Sequence, residues 1–224
     1  MQLRFVNVGT PREVVWRERS AVTAIYKEPV EGRIALGKLG LDGDQQANLA
    51  VHGGVNKAVY CYPLGHYEFW RGEMPGLDLP PGSFGENFTV DDCSEDSVHV
   101  GDRFTVGSAE VVVTQPRLPC FKLAMKFQSD DIIKRFFASR RSGFYLGVTR
   151  EGDVGAGDSF TLVSRDAAGV SISEIIRLYA EKNYSDEDVS AVHRVLEAPL
   201  PGNWKADFRE RLERIGKDDS DEAA

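Results

Sequence analysis

The sequence predicts a mainly β protein of the α+β class: a β-barrel with a few helical inserts, followed by a small three-helix segment. Three observations lead to this prediction. Short β-branched or alternating runs, separated by Gly, Pro and Asp, fill the chain from Phe5 to about Ser164. These runs are not separated by a regular succession of helices, which disfavours a doubly wound parallel sheet. After Asp166 the apolar residues recur at helical spacing instead.

Several runs have the length and composition of strands. β-branched and aromatic residues suit the half-buried surface of a sheet, and the Gly, Pro and Asp residues between the runs favour turns. Because the predicted strands are short and many, we expect their sheet to curl into a closed or nearly closed barrel. The runs are Ala21–Val30, Arg33–Leu36, Ser97–Val106, Glu110–Gln115, Phe144–Thr149 and Ser159–Val163.

Two helical inserts are expected to interrupt these strands, at Leu64–Arg71 and Asp130–Ser139. The second has Ser129 as its predicted N-cap and acidic residues in its first turn, and both features favour the start of a helix. Its apolar residues share one face at helical spacing, and they are Ile132, Ile133, Phe136 and Phe137.

Three short helices are predicted after Asp166. Ser171 and Glu174 have capping-box spacing at the start of the first, and Ser185 precedes the second. Prolines then interrupt the chain before a third helix, whose apolar stripe contains Trp204, Phe208, Leu212 and Ile215. We therefore expect a barrel domain over residues 1–166, a three-helix domain over residues 167–216 and a flexible acidic tail over residues 217–224.

The composition excludes several classes of protein. The 224 residues include 27 Lys+Arg and 35 Asp+Glu, for a net charge of −8, which argues against broad nucleic-acid binding. From residue 170 onward there are eight basic and thirteen acidic residues, so the three helices are better suited to packing than to reading DNA. The sequence shows neither a bilayer-spanning apolar run nor the apolar core of a signal peptide. We expect a cytoplasmic protein with no membrane contact and no stable nucleic-acid complex.

Three cysteines are present, Cys61, Cys93 and Cys120, and their spacing fits neither a disulfide framework nor a C-x-x-C zinc site. Cys120 differs from the others because it ends the stretch PRLPC, in which two prolines stiffen the loop around Arg117. A guanidinium so close in sequence favours the thiolate, which suits Cys120 to nucleophilic attack or to binding a soft metal. A buried and inert thiol is the alternative.

Two further stretches carry polar groups that a simple barrel does not need. Gly40–Lys57 is rich in glycine and contains Asp44, His52 and Lys57. Glycines let backbone N–H groups approach an anion closely, and a lysine adds positive charge for a phosphate. The alternative is a long glycine-rich connection between strands. In the second stretch, Pro81–Asn87, the polar residues either point into a cleft or close a turn.

Other common sites are disfavoured by missing motifs. The four histidines have no H-E-x-x-H or similar spacing, so a catalytic zinc site is not expected. The sequence also lacks the G-x-S-x-G elbow of serine hydrolases and the G-x-G-x-x-G turn of dinucleotide-binding units.

Together these stretches resemble the MOSC domain family, named for the C-terminal domain of molybdenum cofactor sulfurase, and within it the YiiM-like branch with a three-helix appendage. The likeness covers nearly the whole chain, and H-G-G-x-x-K-A combined with P-R-x-P-C is more specific than either motif alone. The matching stretches are Thr23–Gly32, Gly43–Pro63, Phe84–Val90, Val98–Gly107, Val113–Leu123 and Gly152–Val163.

The resemblance implies a MOSC-type β-barrel that holds the molybdenum cofactor, a pterin with a dithiolene and a terminal phosphate. The cysteine of P-R-x-P-C is the family's protein ligand to molybdenum, which implies Cys120 here. The residues implied to hold the pterin and its phosphate are Lys57, His52, Gly53, Gly54 and Arg117, with Asn87 and Lys27 as further candidates. Beside Cys120, the candidates for catalysis are Asp44 and His52, as acid or base.

The family also implies an activity: the reduction of N-hydroxylated small molecules such as hydroxylaminopurine-type base analogues, amidoximes and hydroxylamines. The sequence shows no flavin, haem or iron–sulfur motif, so the electrons are expected from a separate flavin- or iron–sulfur-containing reductase. The oligomeric state is left open, with a homodimer as one alternative. Competing hypotheses are a non-catalytic carrier of molybdenum cofactor, a sulfur carrier that uses Cys120, and a pure interaction protein.

Overall fold

The apolar runs of the first three quarters of the chain pair into one large and two small sheets. A computed structural model describes residues 1–46 and 53–222, with side chains through residue 215. The strands are Leu3–Val8 (β1), Arg12–Trp16 (β2), Arg19–Thr23 (β3), Glu28–Pro29 (β4), Arg33–Gly37 (β5), Gly40–Leu41 (β6), Val59–Pro63 (β7), Phe88–Val90 (β8), Arg103–Val106 (β9), Ala109–Pro116 (β10), Phe144–Arg150 (β11), Gly152–Gly155 (β12) and Thr161–Ser164 (β13). The helices are Gly65–Glu73 (α1), Phe121–Phe127 (α2), Asp131–Ser139 (α3), Ile172–Ala180 (α4), Asp186–Glu197 (α5) and Gly202–Glu222 (α6), and Val55–Lys57 forms a single 3-10 turn.

The large sheet has eight strands in the order β13-β9-β10-β11-β7-β8-β1-β4, and it curls into a partly closed barrel. Its pairs are antiparallel except for β7 and β8, which run parallel. The segment before β13 bonds back to the start of β1, with 2.8 Å from the Leu3 N–H to the Asp158 carbonyl and 2.9 Å from the Phe160 N–H to the Met1 carbonyl. These bonds bring the two sides of the sheet together. The prediction of a mainly β, α+β barrel with helical inserts is therefore confirmed.

Several predicted boundaries need correction. The run Ala21–Val30 is not one strand, because β3 ends at Thr23 and the backbone leaves the sheet before β4. The run Ser97–Val106 forms a strand only from Arg103 onward, since the backbone turns at Gly101, whose φ is +86°. The N-cap position of α3 is Asp130 rather than Ser129, and its side chain makes no capping hydrogen bond.

Two apolar clusters fill the interior. The first occupies the barrel and continues without a break into α4, α5 and α6, through residues such as Ile172, Ile175, Val192 and Phe208. The second is aromatic and lies between α1, α2 and α3 outside the barrel, with Tyr62, Trp70, Phe84 and Phe136 among its buried members. The aromatic cluster forms the floor beneath the loop that carries Cys120.

The predicted start signals of the C-terminal helices are confirmed. The Ser171 hydroxyl accepts the Glu174 N–H at 3.0 Å, and Ser185 forms a capping box with Asp188 at the start of α5. The backbone of α6 continues as a helix to Glu222, so this helix is longer than the sequence predicted. In the part of the chain that the structure describes, every helix is too short or too polar to cross a membrane.

Gly143 is a close-packed turn residue that the fold requires to lack a side chain. Its φ is +60°, and a Cβ there would lie 2.5 Å from the Cys61 carbonyl oxygen. Gly157 has a comparable φ of +96° but open space around it. We expect Gly143→Ala to lower the free energy of unfolding by about 3 kcal/mol and Gly157→Ala by about 1 kcal/mol, measured by urea unfolding. Equal losses would show that backbone conformation alone sets the cost.

Candidate functional site

One pocket at the end of the barrel gathers most of the predicted site residues. Its walls come from the segment after β3, the segment after β6, β7, the turn before β8, and the loop between β10 and α2. The predicted residues that line it are Lys27, Asp44, Lys57, Asn87, Arg117 and Cys120. Gly53 and Gly54 precede the 3-10 turn and are not among its lining residues. His52 lies outside the described residues, so its predicted roles stay predictions.

The loop with Cys120 leaves β10 at Pro116 and enters α2 directly. Cys120 has the extended backbone of a helix N-cap, with φ −132° and ψ 172°, and its carbonyl accepts the Leu123 N–H at 2.9 Å. Pro119 restricts the backbone immediately before it. The thiol is therefore presented to the pocket from a short, stiff connection between a strand and a helix. The sequence did not predict α2, which has seven residues and is too short for a clear apolar period.

Arg117 is the buried cation of the pocket, and only 6% of its surface is exposed. Its guanidinium lies 4.9 Å from the ring centroid of Tyr60 and 5.0 Å from that of Phe136. Burial acts to lower the pKa of Arg117, but Tyr60, Tyr145 and Cys120 raise it, and the net pKa lies above its ordinary value. The guanidinium is thus charged although it forms no ion pair with any described residue. Its Nη1 is buried without a hydrogen-bond partner among those residues.

Asp44 joins Lys27 and Asn87 in a buried polar network. The Lys27 Nζ lies 2.5 Å from Asp44 Oδ1, which also accepts the Gly9 N–H at 2.8 Å. The Asn87 amide donates to Asp44 Oδ2 at 2.9 Å, and its own oxygen accepts the Tyr60 N–H at 3.1 Å. Burial lowers the pKa of Lys27, and the Asp44 carboxylate opposes that effect. Asp44 therefore positions the side chains of Lys27 and Asn87. The catalytic role predicted for Asp44 stays a prediction.

Lys57 lies at the end of the glycine-rich stretch, in the 3-10 turn. Gly54 has φ +90°, and its carbonyl accepts the Lys57 N–H at 2.9 Å, so the 3-10 turn begins from a conformation that favours glycine. Burial lowers the pKa of Lys57, while the nearby Cys120 acts to raise it. The Lys57 Nζ lies 5.9 Å from the ring centroid of Tyr145. The positive charge of Lys57 therefore faces the same space as the thiol.

Two tyrosines of the pocket were missed by the sequence reasoning. Tyr60 on β7 is paired with Tyr145 on β11, and their ring centroids lie 5.3 Å apart. Burial raises the pKa of both phenols, so they stay neutral near pH 7. The available signal was the alternation in VYCYP, which puts Tyr60 and Tyr62 on one face of β7 and Cys61 on the other.

Cys61 and Cys93 are not part of the pocket. Cys61 packs in the barrel core, and burial raises the pKa of its thiol well above the ordinary value. Burial raises the pKa of Cys93 to about 12. Both thiols are therefore protonated near neutral pH, whereas Cys120 is the thiol that lines the pocket.

A buried carboxylate, that of Glu86, holds together the loop before β8, which forms one wall of the pocket. The Glu86 carboxylate is fully buried and accepts hydrogen bonds from the Tyr67 hydroxyl, the Gly82 N–H, the Phe84 N–H and the Thr89 hydroxyl. These bonds close the loop before β8 and fix the backbone of Gly85, which lines the pocket. Two interpretations of this stretch were open, a cleft or a turn, and both apply: Asn87 lines the pocket, while Glu86 closes the turn.

The residues present fit an anionic group bound next to a thiol. Arg117 offers a buried N–H without a partner, and Lys57 adds a second charge beside Cys120. A phosphate or a polar heterocycle would supply the missing acceptors. Among the described residues there is no group of three or more His, Cys, Asp or Glu that could hold a metal ion. Cys120 is the one side chain of the described pocket lining with a soft ligand atom.

Comparison with known proteins identifies relatives of the chain. A family model described as the MOSC domain matches residues 48–161. The chain is 36% identical over 193 residues to protein YiiM of Escherichia coli, covering 84% of each chain. It is 33% identical over 166 residues to a Gibberella moniliformis protein named reductase, covering 73% of this chain and 29% of that protein. The crystal structure of YiiM from Geobacillus stearothermophilus superposes with a TM-score of 0.78 at 34% identity, covering 94% and 98% of the two chains.

Lys126 on α2 is partly buried next to the pocket walls. Its Nζ donates to the carbonyls of Ile25 at 3.0 Å and Gly82 at 2.6 Å, and so ties two walls of the pocket together. Burial lowers the pKa of this ammonium to about 8; Glu86 acts to raise it, and Lys27 adds to the lowering. Sequence reasoning missed this residue, because a single lysine in a short helix looks like an exposed one.

Lys126 should make the free energy of unfolding depend on pH in a way that Lys126→Met removes. The pKa is about 8 in the folded protein against an ordinary value of 10.5. Between these values the unfolded chain binds more of this proton, so the wild type gains stability over the variant as pH rises. From about pH 7 to about pH 9.5 we expect a relative gain of roughly 1 to 3 kcal/mol, measured by urea unfolding. Parallel pH profiles would contradict the burial of the ammonium.

Proposed function

The chain belongs to the MOSC domain family, and from this membership we propose that it is an oxidoreductase that uses a molybdenum cofactor to reduce N-hydroxylated compounds. MOSC domains are associated with the molybdenum cofactor in general. The Gibberella moniliformis relative is named a reductase, and this chain matches 29% of its length. These likenesses support a redox role, and the proposed cofactor and substrates rest on the pocket.

The observation that carries the proposal is the buried Arg117 guanidinium beside Cys120. A charged group with 6% exposure and no ion pair among the described residues favours binding of an anion. Cys120 lines the same pocket, so an anionic group held by Arg117 and Lys57 could bring a metal to the thiol. Hydrolytic or purely structural roles would not need a buried cation with an N–H left unpaired.

In this proposal each residue has a defined task. Cys120 would hold the metal through its sulfur, and Arg117 and Lys57 would hold the negative charge of the pterin and its phosphate. The network of Asp44, Lys27 and Asn87 fixes the side of the pocket formed by the segments after β3 and β6 and by the turn before β8. When bound, the cofactor supplies a metal that cycles between oxidation states.

The reaction consumes two electrons and two protons: the N–O bond breaks, an N–H bond forms, and the oxygen leaves as water. The protein's part is to orient the N-hydroxyl group and to deliver protons. Asp44 and His52 are the acid/base candidates, and Lys57 keeps its charge for the anion. In this proposal the electrons come from a separate donor, and that partner stays a prediction.

Substitution of the proposed ligand tests the cofactor assignment. We expect Cys120→Ala, produced in a host that makes molybdenum cofactor, to lose most of its molybdenum, because the soft protein ligand is removed. Cys93→Ala is the matched control, since Cys93 lies outside the pocket. Metal content is measured by elemental analysis, and pterin by fluorescence after oxidation. Equal molybdenum in Cys120→Ala and Cys93→Ala would contradict the assignment.

Turnover tests the activity separately from binding. With reduced methyl viologen as electron donor under anaerobic conditions, we expect the molybdenum-loaded protein to convert benzamidoxime and an N-hydroxylated purine to the corresponding N–H compounds. Product is measured by chromatography, with the Cys120→Ala protein as the blank. Protein that binds molybdenum and pterin but reduces neither compound would favour the alternative, a non-catalytic cofactor carrier.

A further inference from the structure

A second cavity lies in the C-terminal helical segment, away from Cys120. We call it the C-terminal groove; it is open to solvent, has a volume of about 600 Å³, and is lined by Phe137, residues 179–184, Arg211, Arg214 and Ile215. It is formed where the loop between α4 and α5 faces α6. No role is assigned to it by the function proposed above.

The charge of the groove is unusual for this acidic protein. Lys182, Arg211 and Arg214 line it, and none of them forms an ion pair with a residue that the structure describes. Glu181 also lines the groove and offsets part of this charge; its carboxylate accepts the backbone N–H groups of Lys182 at 3.0 Å and Asn183 at 3.4 Å.

Two arginines of α4 and α5 are paired: Arg177 binds Asp188 at 2.7 Å, and Arg194 binds Glu174 at 2.6 Å. Among the described side chains, the groove is instead lined by three cations and one carboxylate, a net positive lining in a chain of net charge −8. Such a patch is complementary to a negatively charged partner surface.

The groove also has a pre-formed aromatic wall. The Arg211 guanidinium lies 4.5 Å from the ring centroid of Tyr179 and donates to the Glu181 carbonyl at 3.2 Å. The Tyr184 hydroxyl donates to the Leu178 carbonyl at 2.9 Å. Tyrosine and arginine held in this way are typical of protein contact surfaces, since little side-chain freedom is lost on binding.

Helix α3 connects the groove to the candidate site. Phe136 on α3 packs against the Arg117 guanidinium at 5.0 Å, and the next residue, Phe137, lines the groove with its ring 6.3 Å from that of Tyr179. The two regions are thus separated by a single helix, whose diameter with side chains is roughly 10–12 Å. A partner seated in the groove would lie across that helix from the pocket.

We propose that the C-terminal groove docks the electron donor, a small acidic electron-transfer protein. This inference rests on the proposed reductase function, which needs two electrons and holds no donor of its own. Two reduced carriers each give one electron, and with two protons the N–OH group becomes N–H and water. The contact is small and transient, as is common for electron-transfer partners, and charge complementarity guides it.

Charge reversal at the groove tests this docking site. The test variant is Lys182→Glu with Arg214→Glu, because neither side chain has a hydrogen bond among the described residues. The matched control is Lys205→Glu with Arg209→Glu, which makes the same charge change on the opposite face of α6. Molybdenum content and thermal unfolding are compared first, to establish that all proteins are loaded and folded.

Two donors then separate docking from chemistry. With flavodoxin or ferredoxin, kept reduced by NADPH and ferredoxin–NADP⁺ reductase, we expect the test variant to have a carrier KM about tenfold higher than the wild type and the control. With reduced methyl viologen all three proteins should turn over equally. Raising salt from about 50 to about 500 mM should raise the wild-type carrier KM towards that of the test variant.

Each other result would overturn the proposal. Equal carrier KM values in the test variant and the control would show that the groove does not dock the donor. Viologen turnover without turnover from either carrier would exclude an acidic carrier as the partner. A wild-type dimer that becomes a monomer in the test variant, by light scattering, would make the groove a contact between copies of this chain. Absence of viologen turnover in the wild type would instead contradict the reductase function itself.

Discussion

The pocket depends on one constraint: a charged guanidinium is held inside the protein without an ion pair to any carboxylate of the described residues. Arg117 is kept there by two aromatic faces, by the neutral phenols of β7 and β11, and by a backbone held between prolines. Removing such a charge from water is costly, and aromatic faces offset only part of that cost. In the proposed function, an anion bound to Arg117 would offset the remainder of that cost.

Local chemistry explains which parts of this site the sequence could predict. Cys120 and Arg117 belong to one short motif, and Lys57 follows Gly53 and Gly54 by a few residues. Both groupings are local in the sequence, so they could be predicted from it. The pairing of Tyr60 with Tyr145 depends instead on the register of β7 against β11, which no short stretch encodes. Lys126 was missed for the same reason, since its burial depends on carbonyls from two distant loops.

The fold was predictable to a similar degree. Apolar period and turn residues identify a curled sheet and the capped helices α4 and α5, because these signals act within a few residues. They do not fix where a strand ends when the chain must leave the sheet to shape a pocket, as it does after Thr23. The departure after Thr23 coincides with the pocket, whereas the turn at Gly101 lies away from it.

The apolar cluster that passes from the barrel into the C-terminal helices has a mechanical consequence. Backbone hydrogen bonds join the start of α4 to the segment before β9. The Ile172 N–H donates to the Val98 carbonyl at 3.0 Å, and the Val100 N–H donates to the Val170 carbonyl at 3.0 Å. Helices that share a core and a hydrogen-bonded seam with the barrel cannot hinge away from it without exposing that core. We therefore expect the two parts to unfold together. A force applied to the helices would deform the barrel rather than rotate the helices as a separate unit.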